Sequence, residues 1–427
     1  MPNKATHIPA RRLLLTSRFR YLWAGQVISQ VGDGLNKIAL LWFVYTLTGS
    51  AMKMTVVGVL ESVPPVLLSP FLGVFIDRLP KKQLLIGLDL TRAVLITLIP
   101  LLYLLGLLNL YGIYGLTFAN ALVSAAFGPT MAAAIPRMVH RDELTAANGL
   151  IQSATTFGVL VGPALGGFLA SLMGAQNVLY IDAVTFLFSA ACLTLVRVHE
   201  VDRDLRHALA HLRVGVEIRQ ALRYIRSHQP LIFWLMVSSA WFAAGIGAFP
   251  IMLPIFAKTW LHVGSDWLGG LWSGLGAGMA VVTIALATVR NKSLRANLWI
   301  MGIGTAIAAV ALAALTFVQR PWHALVMVIL IGAGTGLFTP LLWTMLQNHT
   351  TAAVRGRVFT FVATTDMAAA TLTMALAGAL AEDFGATTSL RTLAGIFLVS
   401  AGIMFVLLYR HHVSTDFVRS ADAMPKD

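Results

Sequence analysis

Long apolar runs alternate with short polar turns along almost the whole chain. Most runs are about twenty residues or longer, the length that an α-helix needs to cross the hydrocarbon core of a bilayer. Strands of a membrane barrel are about ten residues long and alternate in polarity, whereas these runs are apolar on every side. The pattern predicts an all-α polytopic membrane protein with twelve transmembrane helices. The predicted spans are 21–46, 54–76, 83–105, 111–134, 148–172, 178–196, 230–256, 266–289, 296–317, 322–346, 358–381 and 388–409.

The overall composition agrees with this pattern. Of the 427 residues, 57% are hydrophobic and 11% are charged, and the mean hydropathy is +0.78. A soluble globular domain carries about 25% charged residues, so a water-soluble fold is excluded. The single cysteine, Cys192, falls in the sixth span, so no intramolecular disulfide is expected.

The positive charges are distributed unevenly between the two sides of the predicted membrane. The net charge is +13, but only four of the 31 lysines and arginines fall in the predicted outer loops: Lys53, Lys258, Arg320 and Arg391. Lys37 and Arg92 fall inside spans, and the others lie in segments that this topology places in the cytoplasm. The positive-inside rule therefore predicts cytoplasmic termini in a cell (inner) membrane. The basic excess faces anionic lipid of the bilayer rather than nucleic acid.

One long hydrophilic segment, 197–229, divides the spans six and six. Its apolar residues recur at helical spacing among arginines, which predicts a basic amphipathic linker at the cytoplasmic membrane surface. We therefore predict an N-terminal six-helix bundle at 1–196 and a C-terminal six-helix bundle with a short tail at 230–427. Phe127-Gly-Pro129 recurs as Phe338-Thr-Pro340 at an offset of about 211 residues, which indicates pseudo-symmetric halves.

A short basic loop joins the second and third spans. Its pattern is carried by Gly73, Asp77, Arg78, Lys81 and Lys82. It resembles the signature loop of the major facilitator superfamily, although Phe75 and Pro80 replace the usual leucine and glycine. The resemblance implies a major facilitator fold, with Asp77 forming a cytoplasmic latch to the start of the eleventh span near Arg355 and Arg357. The alternative is a positive-inside turn without a gating role.

The fifth span carries small residues at regular spacing. They are Gly158, Gly162, Pro163, Gly166 and Gly167. Small residues at such spacing let helices pack closely, and a proline can kink a membrane helix. The run is similar to the antiporter motif of proton-driven efflux members of the superfamily, which implies outward transport. The alternative is close packing for structural reasons alone.

Ionisable residues inside spans are costly in hydrocarbon and are functional hypotheses by default. Gln26, Gln30, Asp33 and Lys37 form one polar stripe down the first span. Asp33 and Glu61, in the second span, are our candidates for proton coupling or cation recognition. The alternative for Asp33 is local neutralisation by Lys37, four residues later.

Further charged residues lie in later spans. Arg92, with Asp89 one turn before it in the third span, and Asp366 in the eleventh are further candidates for the substrate cavity or for coupling. For Arg92 the alternative is a local pair with Asp89. Asp182 lies near the outer end of the sixth span, where charge is less costly, and is expected to be structural.

Aromatic residues in the seventh span are candidates for the substrate cavity. Trp241 lies on one predicted face with Trp234, Ser238, Gly245 and Met252. Aromatic and methionine surfaces suit bulky apolar or cationic ligands. The alternative is packing against lipid or other helices.

The N-terminal half has the most specific resemblance. The first span from Phe19 to Asp33, and Asp89-Leu-Thr-Arg-Ala93 in the third, are similar to the branch of macrolide, multidrug and enterobactin exporters. This implies proton-coupled efflux of small amphipathic or cationic compounds, drug-like or siderophore-like, by alternating access. A lipid, lysophospholipid or metal transporter of the same fold remains an alternative, as does a transport-inactive receptor. We expect no enzyme activity, no cofactor, no metal site and a monomer.

Overall fold

The structure is a computed structural model that describes Leu13 and residues 18–140, 143–196, 198, 230–288, 293–350 and 352–422. The described backbone is almost entirely α-helical. The helices are α1 (Phe19–Thr48), α2 (Ala51–Arg78), α3 (Lys81–Leu104), α4 (Leu110–Ala134), α5 (Leu144–Met173), α6 (Ala175–Leu195), α7 (Pro230–Gly247), α8 (Phe249–Thr259), α9 (Ser265–Thr288), α10 (Leu294–Leu315), α11 (Pro321–His349), α12 (Ala352–Phe384) and α13 (Ala386–Asp422). Helices satisfy their own backbone hydrogen bonds, as a bilayer requires.

Each predicted span coincides with helical structure, but the seventh is not one continuous helix. α7 ends at Gly247, and α8 begins at Phe249 with Pro250 in its first turn. Proline fits the first turn of a helix but clashes with the carbonyl four residues earlier if the helix continues through it. The predicted seventh span is therefore two helical segments within one apolar stretch, Leu231–Thr259.

The described helices identify a multi-pass membrane protein. Ten apolar helical stretches are long and apolar enough to cross a membrane, with a mean hydropathy of 1.2 or more over 18 residues. The described residues of α1 and α2 contribute no such stretch. α1 carries the polar stripe that includes Asp33 and Lys37, which lowers its apolar character. The count of twelve spans therefore stays a prediction. The predicted linker, 197–229, lies outside the described residues apart from residue 198.

Contacts between Cα atoms divide the chain into two compact units. The first unit comprises Met1–Leu212 together with Val263–Ser273, and the second comprises Arg213–His262 together with Gly274–Asp427. The segment Val263–Ser273, which includes the start of α9, thus groups with the N-terminal half. The predicted bundle boundaries at 196 and 230 stay a prediction.

In the first unit, α1 is the central helix. It packs against α5 and α6, α6 also packs against α3, and α4 packs against α2 and α3. Near the start of α1, Phe19 and Leu22 join Leu85 of α3 and Phe127 of α4 in one buried hydrophobic cluster. This packing brings the middles of α1, α3 and α6 together.

In the second unit, α10 packs against α11 and α13, while α7 packs against α12 and α13. Glycines allow α9 and α11 to approach closely. A side chain at Gly278 would collide with the carbonyl of Ile329, and one at Gly336 would lie 2.7 Å from the carbonyl oxygen of Met279. Close glycine contacts of this kind are typical of helix packing in membranes.

Candidate functional site

Arg92 is the centre of a buried charge cluster in the first unit. It lies near the middle of α3, and its guanidinium forms an ion pair with Asp33, near the middle of α1. The other oxygen of Asp33 accepts a hydrogen bond from Gln30 Nε2 at 3.3 Å. Asp89 lies one turn before Arg92, with its Oδ1 3.7 Å from Arg92 Nη1. The Arg92 side chain is 7% exposed and that of Asp33 is 34% exposed, so Asp33 is the accessible member of the pair.

Two phenylalanines hold the guanidinium of Arg92. Its central carbon lies 3.9 Å from the ring centroid of Phe186 on α6 and 5.7 Å from that of Phe127 on α4. A guanidinium is planar and weakly hydrated, so it stacks on aromatic rings better than an ammonium group does. The two rings therefore supply favourable contacts to a charge that is largely removed from water.

Both phenylalanines have counterparts in the second unit. Phe338 and Phe397 lie about 211 residues after Phe127 and Phe186, the offset of the internal repeat. They flank Phe242 of α7, whose ring centroid lies 4.1 Å from that of Phe338 and 5.4 Å from that of Phe397. In the second unit the two counterparts thus contact an aromatic ring of α7.

Asp182 belongs to the same cluster in the first unit. It is fully buried on α6, and Thr185 Oγ1 lies 3.3 Å from Asp182 Oδ1. Its carboxylate reaches α1 at Gly32, where a Cβ atom would lie 2.5 Å from Asp182 Oδ1. Because Gly32 precedes Asp33, this contact brings Asp182 to the middle of α1. The sequence pattern placed Asp182 near the outer end of its span and did not predict this neighbourhood.

Lys37 does not form the local pair considered from the sequence. Its ammonium nitrogen lies 5.8 Å from the ring centroid of Trp272, in the part of α9 that belongs to the first unit. The ion pair that the structure describes for Asp33 is instead with Arg92. Glu61 on α2 is half-buried, and no ion pair joins it to another described side chain. The local Asp89–Arg92 contact is present, as an addition to the Asp33 pair.

The polar stripe on α1 continues towards the start of the helix. Gln26 is 3% exposed, and its Nε2 has no hydrogen-bond partner among the described residues. Gln30, one turn later, donates to Asp33. The stripe is therefore buried at Gln26 and becomes accessible at Asp33.

The glycines of α5 pack directly on this part of α1. A Cβ atom at Gly158 would lie 2.6 Å from Gln30 Cβ, and one at Gly162 would lie 2.7 Å from Gly34 Cα. Gly166 approaches Leu35 in the same way. The motif from the sequence thus fixes the backbone of α1 around Asp33.

The other side of α5 packs on the start of α9. A Cβ atom at Gly167 would lie 2.7 Å from Gly269 Cα, and Pro163 lies inside α5, where its carbonyl oxygen faces Gly269. Ser273 Oγ donates to the carbonyl oxygen of Leu160 at 3.1 Å. Within the first unit, α5 therefore links the segment 263–273 to α1.

The second unit has its own carboxylate, Asp366 on α12. Its Oδ2 accepts a hydrogen bond from Ser239 Oγ on α7 at 2.5 Å, while its Oδ1 has no partner among the described residues. Trp241, two residues after Ser239, is 40% exposed. Of the other residues predicted to share its face, Ser238 and Met252 are fully buried. The residues predicted to share this face therefore differ in their solvent exposure.

The paired lysines of the signature loop cap two helices. Lys81 is buried, and its ammonium group donates to the carbonyl oxygens of Ile76 and Leu79 at the end of α2. Lys82 Nζ donates to the carbonyl oxygens of Thr194 at 2.6 Å and Val196 at 2.8 Å, at the end of α6. Cations near a helix C-terminus are favourable because they satisfy its free carbonyl groups.

The rest of the predicted latch lies outside the described side chains. Gly73, Asp77 and Arg78 fall in α2, and Arg355 and Arg357 fall in the first turns of α12. The bonding of their side chains lies outside the described residues, so the latch stays a prediction.

Comparison with known proteins identifies the family of the chain. Residues 12–427 match the model of a family described as transmembrane secretion effectors. The chain belongs to the major facilitator superfamily. The match extends over nearly the whole chain, so it includes both units and every candidate residue above.

Two of the related proteins are named as efflux proteins. The chain is 23% identical to macrolide efflux protein A of Streptococcus pyogenes over 301 residues, which cover 68% of this chain and 72% of that protein. It is 23% identical to the multidrug efflux pump Tap of Mycolicibacterium fortuitum over 407 residues, which cover 93% of this chain and 96% of that protein.

A solved structure supports the fold. A bacterial homologue of the human lysosomal transporter Spinster matches with a TM-score of 0.73 at 12% identity, over 92% of this chain and 98% of that one. At this identity the likeness shows the fold alone. This major facilitator protein is therefore built from the same helical framework as known transporters.

Proposed function

We propose that this protein is a proton-coupled exporter of small amphipathic or cationic compounds. The observation that carries the proposal is the Asp33–Arg92 ion pair near the middle of α1 and α3. Charged groups at this depth are costly and mark substrate or ion pathways. The names of the related macrolide and multidrug exporters support the direction of transport and the class of substrate.

The pair supplies a means of coupling. When Asp33 binds a proton, its negative charge is lost, and its attraction to Arg92 weakens. The 34% exposure of the Asp33 side chain leaves it accessible to protons and to a cationic substrate. Substrate and proton therefore compete for the same carboxylate, with Glu61 on α2 as a second candidate. Competition of this kind converts proton entry into substrate release.

The wider mechanism is alternating access between two pseudo-symmetric bundles of six spans. Protons enter from outside, and the termini lie on the cytoplasmic side of the cell (inner) membrane, as the distribution of lysine and arginine predicts. Asp77 with Arg355 and Arg357 forms the cytoplasmic latch. The glycines of α5, packed against α1 around Asp33, keep this helix in register during the transition. The protein acts as a monomer.

The proposal is tested by transport in proteoliposomes under an imposed pH gradient. A panel of macrolides, lipophilic cations and neutral drugs is supplied, and accumulation is measured for the wild type, Asp33→Asn and Glu61→Gln. We expect gradient-driven accumulation of cationic compounds by the wild type, and its loss in at least one variant. Asp383→Asn, an exposed carboxylate at the end of α12, is the control and should transport normally.

The result that contradicts the coupling assignment is normal gradient-driven transport by both neutral variants. Transport by the wild type that persists after the proton gradient is collapsed contradicts proton coupling itself. Addition of lysophospholipid as a competitor separates drug export from lipid transport, because a lipid transporter loses drug transport in its presence.

A further inference from the structure

The buried charges in the first unit do not balance. Asp33, Asp89 and Asp182 provide three carboxylates, and Arg92 provides one guanidinium. Asp89 and Asp182 have no exposed surface. Ionised charges without partners are strongly unfavourable in such surroundings.

In the described part of the unit, α4, α5 and α6 supply no further positive charge. α4 and α5, which pack against α3 and α1 respectively, contain no charged residue. On α1 itself, Lys37 lies near Trp272, and its charge is opposed by that of Glu61 on α2, so this second pair adds no net positive charge to the cluster. Protons bound to two of the carboxylates would make the cluster of Asp33, Asp89, Asp182 and Arg92 neutral.

Several polar atoms in this cluster also need partners. Asp182 Oδ2, both oxygens of Asp89 and the Ser189 hydroxyl make no hydrogen bond of normal geometry with a described residue. Ser189 lies beside Asp89, and Asn36 lies beside Asp182, so each carboxylate has a polar neighbour. Buried polar groups in native proteins are almost always hydrogen-bonded, commonly through water.

These groups extend over part of the depth of the unit. Asp182 is seven residues after the start of α6, and Ser189 is seven residues further, a separation of about 10 Å along a helix that rises 1.5 Å per residue. Asp33 lies at the fifteenth residue of the thirty-residue α1. Asp89 is eight residues after the start of α3, and that start lies beside the end of α6. Asp182 is thus level with Asp33 through its contact with Gly32, and Asp89, beside Ser189, lies about two turns further along α6.

We infer that protons cross the first unit through its own interior, by way of Asp182, Asp33 and Asp89. In each step the O–H bond of one carboxylic acid breaks as an O–H bond forms on the next carboxylate or on an intervening water molecule. The number of protons and the total charge of the step are unchanged. Thr185 and Ser189 provide hydroxyl groups that orient these transfers, and Arg92 stays as the fixed positive charge.

This inference rests on the proposed proton coupling and adds a route to it. The coupling proposal needs only that one accessible carboxylate exchanges protons with the two sides. The route assigns two fully buried carboxylates, Asp89 and Asp182, and confines proton movement to α1, α3 and α6. The substrate then need not share the whole path of the proton.

The test separates two kinds of transport in proteoliposomes containing the full-length protein. The first is substrate accumulation driven by a pH gradient, and the second is exchange of labelled for unlabelled substrate at equal pH. For Asp182→Asn and Asp89→Asn we expect the first to fall by about tenfold or more, as for the loss of a positioned proton-transfer group. Exchange, which needs no net proton movement, should stay within about twofold of the wild type. Asp383→Asn is the control for both measurements.

Normal gradient-driven accumulation by both variants would overturn the route while leaving the coupling proposal intact. Absence of gradient-driven transport in the wild type would instead contradict the proposed function. If either variant fails to fold, infrared difference spectroscopy on the wild type during a pH jump gives a second measurement. The route requires carboxylic-acid C=O bands that respond to pH. In Asp182→Glu or Asp89→Glu, one of these bands should move to a different frequency. A spectrum without any responsive carboxylic-acid band overturns it.

Discussion

Arg92 on α3 forms an ion pair with Asp33 on α1, although the two residues are 59 positions apart in sequence. The helices that carry them both pack against α6. The Arg92 guanidinium also lies against Phe186 of α6. One side chain therefore holds three helices of the first unit together at mid-depth, and its loss should affect stability as well as transport.

Removal of Arg92 should destabilise the protein by leaving buried carboxylates without a positive partner. For Arg92→Gln we expect a loss near the lower end of the ~3–5 kcal/mol typical of a broken buried pair, because Asp33 is 34% exposed. The double variant Asp33→Asn/Arg92→Gln should recover part of this loss, since it removes one of the uncompensated charges. Thermal unfolding of the purified protein in detergent measures both. A double variant no more stable than Arg92→Gln contradicts the pairing.

The close contact of α5 with α1 predicts that Gly162 tolerates no side chain. Gly162→Ala places a methyl group 2.7 Å from Gly34 Cα, which should cost about 1–3 kcal/mol through overpacking. Gly149→Ala on the same helix is a matched control, because nothing lies within 4 Å of its Cβ position. Thermal unfolding should show a lower midpoint for the first variant and an unchanged or higher one for the second. Equal midpoints would show that α5 does not fix α1.

Lys82 should stabilise the end of α6 locally. Lys82→Met removes two hydrogen bonds to the carbonyl oxygens of Thr194 and Val196. A partly exposed charge-assisted cap contributes about 1 kcal/mol, so amide hydrogen exchange at the end of α6 should become about fivefold faster. Lys53→Met, at the exposed start of α2, is the control. Unchanged exchange at the end of α6 would mean that the cap contributes nothing there.

Asp366 should affect which substrates the protein prefers. Its Oδ1 has no described partner, so a cationic substrate near α12 could pair with it. For Asp366→Asn we expect about a tenfold rise in KM for cationic compounds and little change for neutral ones. Ser239→Ala removes the hydrogen bond but keeps the charge, so it should affect both classes alike. Uniform effects of both variants would favour a purely structural role for the Asp366–Ser239 pair.

The sequence predicted the helices well because their signal is local. About twenty consecutive apolar residues identify a membrane-length helix without knowledge of its neighbours. The interruption between α7 and α8 was missed because Pro250 lies within an otherwise uninterrupted apolar run. Close packing of α5 against another helix could also be predicted, since Gly158, Gly162 and Gly166 share one helix face.

The pairing of the charges could not be predicted in the same way. A helix that is apolar on every side gives no periodic pattern to show which face is buried. The local partner for Asp33, Lys37, was therefore as plausible as Arg92 on another helix. Position alone places Asp182 near the outer end of its predicted span. Its contact with Gly32 depends on the rotation of α6 about its axis, which the sequence does not encode locally.

The aromatic pair that recurs in the two units has a consequence for the history of the protein. In one half the rings of Phe127 and Phe186 surround the guanidinium of Arg92, and in the other Phe338 and Phe397 surround Phe242. Each half thus keeps two phenylalanines at the repeat offset, but the side chains that they contact differ between the halves. A residue can therefore persist at a repeated position while its partners diverge, so likeness between the halves at one position does not carry over to the chemistry around it.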